Sequence, residues 1–170
     1  MTPQEFDAFY AASFSRLTGQ LYAMTGDWSE AQDVVQEAFI RAWDRRRTFD
    51  LDHAPEAWIR TTARRLAVSR WRRLARGLHL AGRHHRPEPP TVEPPTEDHL
   101  MLVTALRDLP EAQRSALVLH HMCDLPVEQV AAETGASVSA VKSRLTRGRT
   151  ALAAGLADRT PSSEEGKLRV

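Results

Sequence analysis

Nine consecutive residues, Pro87–Pro95, hold five of the ten prolines in this 170-residue chain. Proline donates no backbone hydrogen bond and biases the residue before it away from the helical region. Neither a helix interior nor a central strand absorbs that density. The segment is therefore expected to run extended, partly as polyproline II, and solvated. With Gly77 and Gly82 ahead of it, the linker is placed at 81–97. The chain then divides into a domain over 1–80, a domain over 98–158 and a polar tail over 159–170. Each domain is small, so each core is expected to be modest.

Both flanks of the linker carry helical rather than strand periodicity. Ser29 offers an N-cap, with Gln32 three residues on as a capping-box partner. From there Ala31, Val34, Val35, Ala38, Phe39 and Ala42 follow the three-and-four spacing of a buried helix face. Pro55 suits the first turn of another helix, whose apolar stripe is Trp58, Ile59, Thr62, Ala63, Leu66 and Ala67. Alternation never persists and the β-branched residues are scattered, so no strand is expected. The fold class is all-α: two small helical domains joined by the proline-rich linker.

The net charge of +1 conceals segregation. Residues 1–50 sum to −3, 51–86 to +7, 87–136 to −7 and 137–152 to +4. Two basic blocks separated by an acidic one suit two contacts with a polyanion, although arginine-rich helices are also simply soluble. A single cysteine, Cys123, excludes an internal disulfide and fits a reducing compartment. The first residues are acidic where a signal peptide needs basic ones, and no apolar run of membrane length follows. A cytoplasmic protein without a membrane segment is expected.

The C-terminal domain is the more explicit half. Leu109-Pro110-Glu111 opens a helix over 112–121, which Asp124-Leu125-Pro126 interrupts. Residues 127–133 form a short helix, Thr134-Gly135-Ala136 a turn, and Ser137 or Ser139 caps a helix running to about Ala154. Gly135 sits where the chain turns sharply, which favours positive φ. Ala131, four residues earlier, lets two helices approach, and Val141 points back to the core. This is helix-turn-helix spacing with a basic second helix. A helical hairpin in a protein-interaction domain is the bland alternative. Ser137, Ser139, Lys142, Ser143, Arg144, Arg147 and Arg149 are the candidate contacts to phosphates or base edges.

LPEAQRSALVLHHMCDLPVEQVAAETGASVSAVKSRLTRGRTAL resembles the fourth conserved region of bacterial sigma factors, most specifically in SAVKSRLTRGR. TGDWSEAQDVVQEAFIRAWDR is similar to their second conserved region. The two stretches stand in family order around a variable linker. The absence of regions one and three resembles the small extracytoplasmic-function group, with an actinobacterial-like composition. The resemblance implies partners: core RNA polymerase, through the clamp helices of its largest subunit and the flap of its second-largest, and promoter DNA. It leaves room for an anti-sigma protein. No cofactor, metal or catalytic residue is implied.

Asp33, Gln36, Glu37, Ile40 and Asp44 share one helix face, opposite the apolar stripe. Alone this reads as a solvated face of charges. In the family, DVVQEAF-like residues contact the polymerase clamp, which makes these five the candidate docking residues. The next helix carries Arg60, Arg64, Arg65, Arg70, Arg72, Arg73 and Arg76, interleaved with Trp58 and Trp71. Trp58 is assigned to the core, while Trp71 suits either core packing or base stacking. The family reads the minus-10 promoter element here and holds melted bases in the preceding loop. Phe49, Asp50 and His53 in that loop, with the arginines through Arg73, are the candidate minus-10 contacts; the helix-turn-helix would read the minus-35 element. Members often have asparagine and aspartate where this chain places Arg65 and Ser69, which puts the usual promoter sequence in doubt. A helix-turn-helix repressor would leave the N-terminal domain idle. The run His120-His121-Met122-Cys123 is a poor metal site, because adjacent histidines point to different helix faces.

Overall fold

The computed structural model describes residues 1–46, 54–75 and 95–159. Every regular element among them is helical. The chain falls into two compact units that divide between Pro95 and Thr96. Most of the expected linker, together with Phe49, Asp50, His53, Arg76 and nearly all of the tail, lies outside the described residues.

Among the described residues the N-terminal unit packs three helices. Helix α1 spans Pro3–Thr25 and opens with a reciprocal capping box. Glu5 N–H donates to Thr2 Oγ1 at 3.2 Å, and Thr2 N–H donates to Glu5 Oε2 at 2.7 Å. Two otherwise orphaned donors are thereby satisfied. Gly26, at φ 73°, ends the helix, and its N–H reaches the Tyr22 carbonyl at 2.7 Å. Helix α2, Trp28–Asp44, follows at once. Its N-cap is Asp27, which accepts from Glu30 N–H at 2.9 Å, and not Ser29 as the sequence suggested. The shift places Trp28 in the first turn, edge-on to Tyr22 with ring centroids 5.2 Å apart. Helix α3 spans Pro55–Ala75, with proline at its start where a missing N–H costs nothing.

All six residues of the expected α2 stripe are buried. Phe39 is the hub of the core. Its ring lies 4.8 Å from Tyr10, 5.5 Å from Phe9, 6.1 Å from Phe14 and 6.2 Å from Phe6. Those distances and tilted or edge-on orientations are the favourable range for aromatic pairs. Of the expected α3 stripe, Ile59 and Ala63 are fully buried, and Trp58, Thr62, Leu66 and Ala67 are half-buried. A bidentate ion pair between Arg16 and Glu56 ties α1 to α3 at the surface.

Among the described residues the C-terminal unit holds four α-helices. Helix α4, Glu97–Arg107, is capped by Thr96, and α5 spans Glu111–Leu117. The expected single helix over 112–121 changes pitch instead. Val118–Met122 forms a π turn, closed by Cys123 N–H donating to the Val118 carbonyl at 3.1 Å. Asp124 then takes φ 52°, and His120 Nδ1 meets the Leu125 carbonyl at 2.8 Å. Helices α6, Val127–Thr134, and α7, Val138–Ala157, follow. The core is Val103, Leu106, Leu117, Val118, Leu119, Val130, Val141 and Leu145. Arg159 pairs with Asp108, joining the end of α7 to the end of α4.

Candidate functional site

The α6–turn–α7 segment is built by two local devices. Gly135 adopts φ 66°, a left-handed conformation that costs other residues roughly 1–2 kcal/mol, and so reverses the chain after α6. Ser137 then caps α7, its Oγ accepting from Ala140 N–H at 3.1 Å. Of the two serines considered from sequence, Ser137 is the cap. Val141, Leu145 and Gly148 form the buried stripe of α7. Around the rest of the helix, Ser137, Ser139, Lys142, Arg147 and Arg149 are exposed, and Ser143 and Arg144 are half-buried. No acidic residue stands in the first turn, so the positive end of the helix dipole is not offset there.

Arg149 is held. Its Nε donates to His121 Nε2 at 3.2 Å, across from the π turn. The acceptor must be a neutral imidazole nitrogen. Burial holds the His121 pKa below the ordinary histidine value, with His120 and Arg149 adding to the effect. Among the described residues no group of three or more His, Cys, Asp or Glu is placed to hold a metal ion.

On α3 the arginines do not form one uniform surface. Arg60 is only 4% exposed, so it is part of the interior face beside Ile59 and not a ready phosphate contact. Arg70 turns toward α2, 3.4 Å from Glu30 Oε2 and 3.9 Å from Asp33 Oδ2. Burial raises the Glu30 pKa, and Arg70 opposes that rise. Arg64 is half-buried, whereas Arg65, Arg72 and Arg73 are exposed. Arg64, Arg65, Val68, Ser69 and Arg72 line a shallow depression of about 300 Å³. Arg73 Nη2 donates to Ser69 Oγ at 2.9 Å.

On α2 the expected acidic face is interrupted. Gln36 is 6% exposed and belongs to the core edge next to Val35, not to the outer surface. Asp33 is engaged by Arg70, and Glu37 pairs with Arg41 at 3.1 Å one turn on. Ile40 is half-buried and Asp44 exposed. What remains outward is Asp33, Glu37, Ile40 and Asp44, in register along successive turns.

Two family descriptions match the chain, Sigma-70 region 2 over residues 9–77 and Sigma-70 region 4 over residues 99–152. The extracytoplasmic-function RNA polymerase sigma factor SigL of Mycobacterium tuberculosis is 31% identical over 128 residues, covering 72% of each chain. The RNA polymerase sigma-E factor of Streptomyces coelicolor is 30% identical over 146 residues, covering 84% of this chain and 81% of that one. Among solved structures, the sigma factor RpoE in complex with the anti-sigma factor NepR from Bartonella quintana superposes with TM-score 0.71 at 23% identity. The match covers 91% of this chain and 98% of that one. CnrH in complex with the cytosolic domain of CnrY gives TM-score 0.67 at 24% identity, covering 94% and 92%. At that identity the structures speak to the fold alone, which is the same all-helical one. With a basic-helix unit matching each of the two regions, in order, on either side of the proline-rich segment, the chain belongs to the extracytoplasmic-function group of the sigma-70 family, the factors that bind RNA polymerase and direct it to promoters.

Proposed function

We propose that the two units divide the family's work as their surfaces suggest. Residues 1–80 dock on core polymerase through Asp33, Glu37, Ile40 and Asp44 and engage the minus-10 element through the exposed arginines of α3. Residues 98–158 engage the minus-35 element through α7. The observation that carries this reading is the pair of arginine-bearing helices, α3 and α7, one in each compact unit. The chain performs no catalysis of its own; it supplies placement and melting to the polymerase, and it works in the cytoplasm. No helix among the described residues is long and apolar enough to cross a membrane. An anti-sigma protein is a partner of the same kind, as NepR is for RpoE.

Docking is tested by neutral isosteres, because charge reversal at Asp33 would also set two cations against each other at Arg70. Asp33→Asn with Glu37→Gln is expected to weaken binding to core polymerase by about tenfold or more, the scale of removing charges that pair across an interface. Helicity should be unchanged. Undiminished co-purification with core would remove this face from the interface.

For α7, Arg147 is exposed and makes no hydrogen bond or ion pair among the described residues. Each phosphate contact releases counterions, so affinity falls linearly in log salt. Arg147→Ala in the reconstituted holoenzyme should lower that slope by about one if the guanidinium meets a phosphate. An unaltered slope would place Arg147 away from the duplex.

A further inference from the structure

The depression on α3 is lined chiefly by donors. Its polar groups are the guanidinium groups of Arg64, Arg65 and Arg72 and the hydroxyl of Ser69, with Val68 as the apolar wall. No carboxylate stands among these five residues. The Ser69 oxygen already accepts from Arg73 Nη2, which occupies one of its two lone pairs. A ligand that fits must bring acceptors.

Arg65 is the group positioned to meet it. It is exposed, and among the described residues it has neither a hydrogen-bonding nor an ionic partner. Arg64 and Arg72, by comparison, each have an interaction within the protein. Guanidinium presents two parallel donors in a rigid fork. Among bases, guanine offers two adjacent acceptors, O6 and N7, whether paired or unpaired. Adenine and cytosine set an amine donor on the same edge, and thymine sets one acceptor beside a methyl group.

We infer that Arg65 is a specificity-determining residue that selects guanine at one position of the promoter, read against the donor-lined depression of α3. The inference rests on the sigma-factor reading above. The nearest competitor is a backbone phosphate, which offers acceptors without sequence information.

The test uses the full-length chain reconstituted with core RNA polymerase on a template pool with randomised upstream sequence, with run-off transcripts sequenced. The unaltered chain should enrich guanine at one position. Arg65→Gln should lower that enrichment by about tenfold, the scale of one bidentate arginine–guanine pair, and leave the other positions as they were. Arg65→Lys should lose the enrichment equally, because it keeps the charge and loses the fork. Both variants alter an exposed side chain, and unchanged tryptophan fluorescence would verify folding. If the base profile is the same in all three proteins, with Arg65→Gln transcribing less from every template and Arg65→Lys transcribing normally, Arg65 holds a phosphate and the inference is overturned. Loss of initiation on every template, even by the unaltered chain, would instead overturn the sigma-factor reading beneath it.

Discussion

Phe39→Ala is expected to cost the N-terminal unit about 3–5 kcal/mol, the range for emptying a buried aromatic site. Phe39 is 3% exposed and faces four other aromatic rings of α1. The neighbours that would have to close the gap are themselves held by edge-on packing, as Phe6 is against Trp43 at 5.2 Å. Collapse of the cavity is therefore restricted, which puts the loss toward the upper part of that range. A small domain has roughly 5–15 kcal/mol in total, so this single change removes a large share. The readout is unusually clean. All four tryptophans, both tyrosines and all five phenylalanines precede residue 72, so the C-terminal unit carries no such ring. The thermal transition seen by tryptophan fluorescence should fall by 10 °C or more, on a scale of about 4–8 °C per kcal/mol. Polymerase binding should fail as that unit unfolds, while the helical signal of residues 96–159 persists. A fluorescence transition within a few degrees of the parent would show that Phe39 is not the hub its ring distances describe.

The local signals in the sequence were strong where one residue type alone solves a backbone problem. Gly135 and Ser137 fix the turn of the helix-turn-helix because positive φ and a side-chain cap leave few alternatives. The α2 stripe was legible for a related reason, since six apolar residues at helical spacing have one face to bury. The capping box of α1 is equally present in Thr2-Pro3-Gln4-Glu5, as is the Thr96 cap before α4. The sequence alone does not separate Asp27 from Ser29 as the α2 N-cap, because both are good caps; the ring contact between Trp28 and Tyr22 favours the earlier one.

Site residues were less legible, because arginine and glutamine look alike in sequence whether they face water or the interior. Gln36 and Arg60 each sit one position after a buried residue, Val35 and Ile59, and are drawn inside with them. The tie of Arg70 to Glu30 and Asp33 spans about forty positions and has no local signature. It has a consequence for function all the same. A residue expected on promoter DNA and one expected on polymerase are partners of each other, so neither surface can be altered there without touching the other.

Gly148→Leu is the second change with a large expected effect, and its basis lies wholly in packing. Gly148 is buried midway along the exposed basic run of α7, where a side chain would be unremarkable on sequence grounds. A Cβ at that position would stand 3.0 Å from Leu117 Cδ1, 3.2 Å from Leu117 Cγ and 3.4 Å from Gln113 Cβ. Leu117 is 3% exposed and has little room to retreat. Gly148→Ala sets two effects against each other. Alanine favours the helix by about 1 kcal/mol over glycine, and the tight contact with Leu117 takes a similar amount back. The net change should stay within about 1 kcal/mol. Leucine adds three more carbons with no space to enter. It must push α7 off α5, at a cost of about 1–3 kcal/mol or more, and shift Lys142, Arg144 and Arg147 with it relative to the rest of the unit. The helical thermal transition of the C-terminal unit should drop for Gly148→Leu and hold for Gly148→Ala. Tryptophan fluorescence should remain at the parental value in both, because every tryptophan belongs to the other unit. Transcription from a promoter that needs the minus-35 element should fall sharply for Gly148→Leu alone. Equal stability of the two variants would mean that α5 and α7 yield to one another, and that glycine at 148 answers to something other than their close approach.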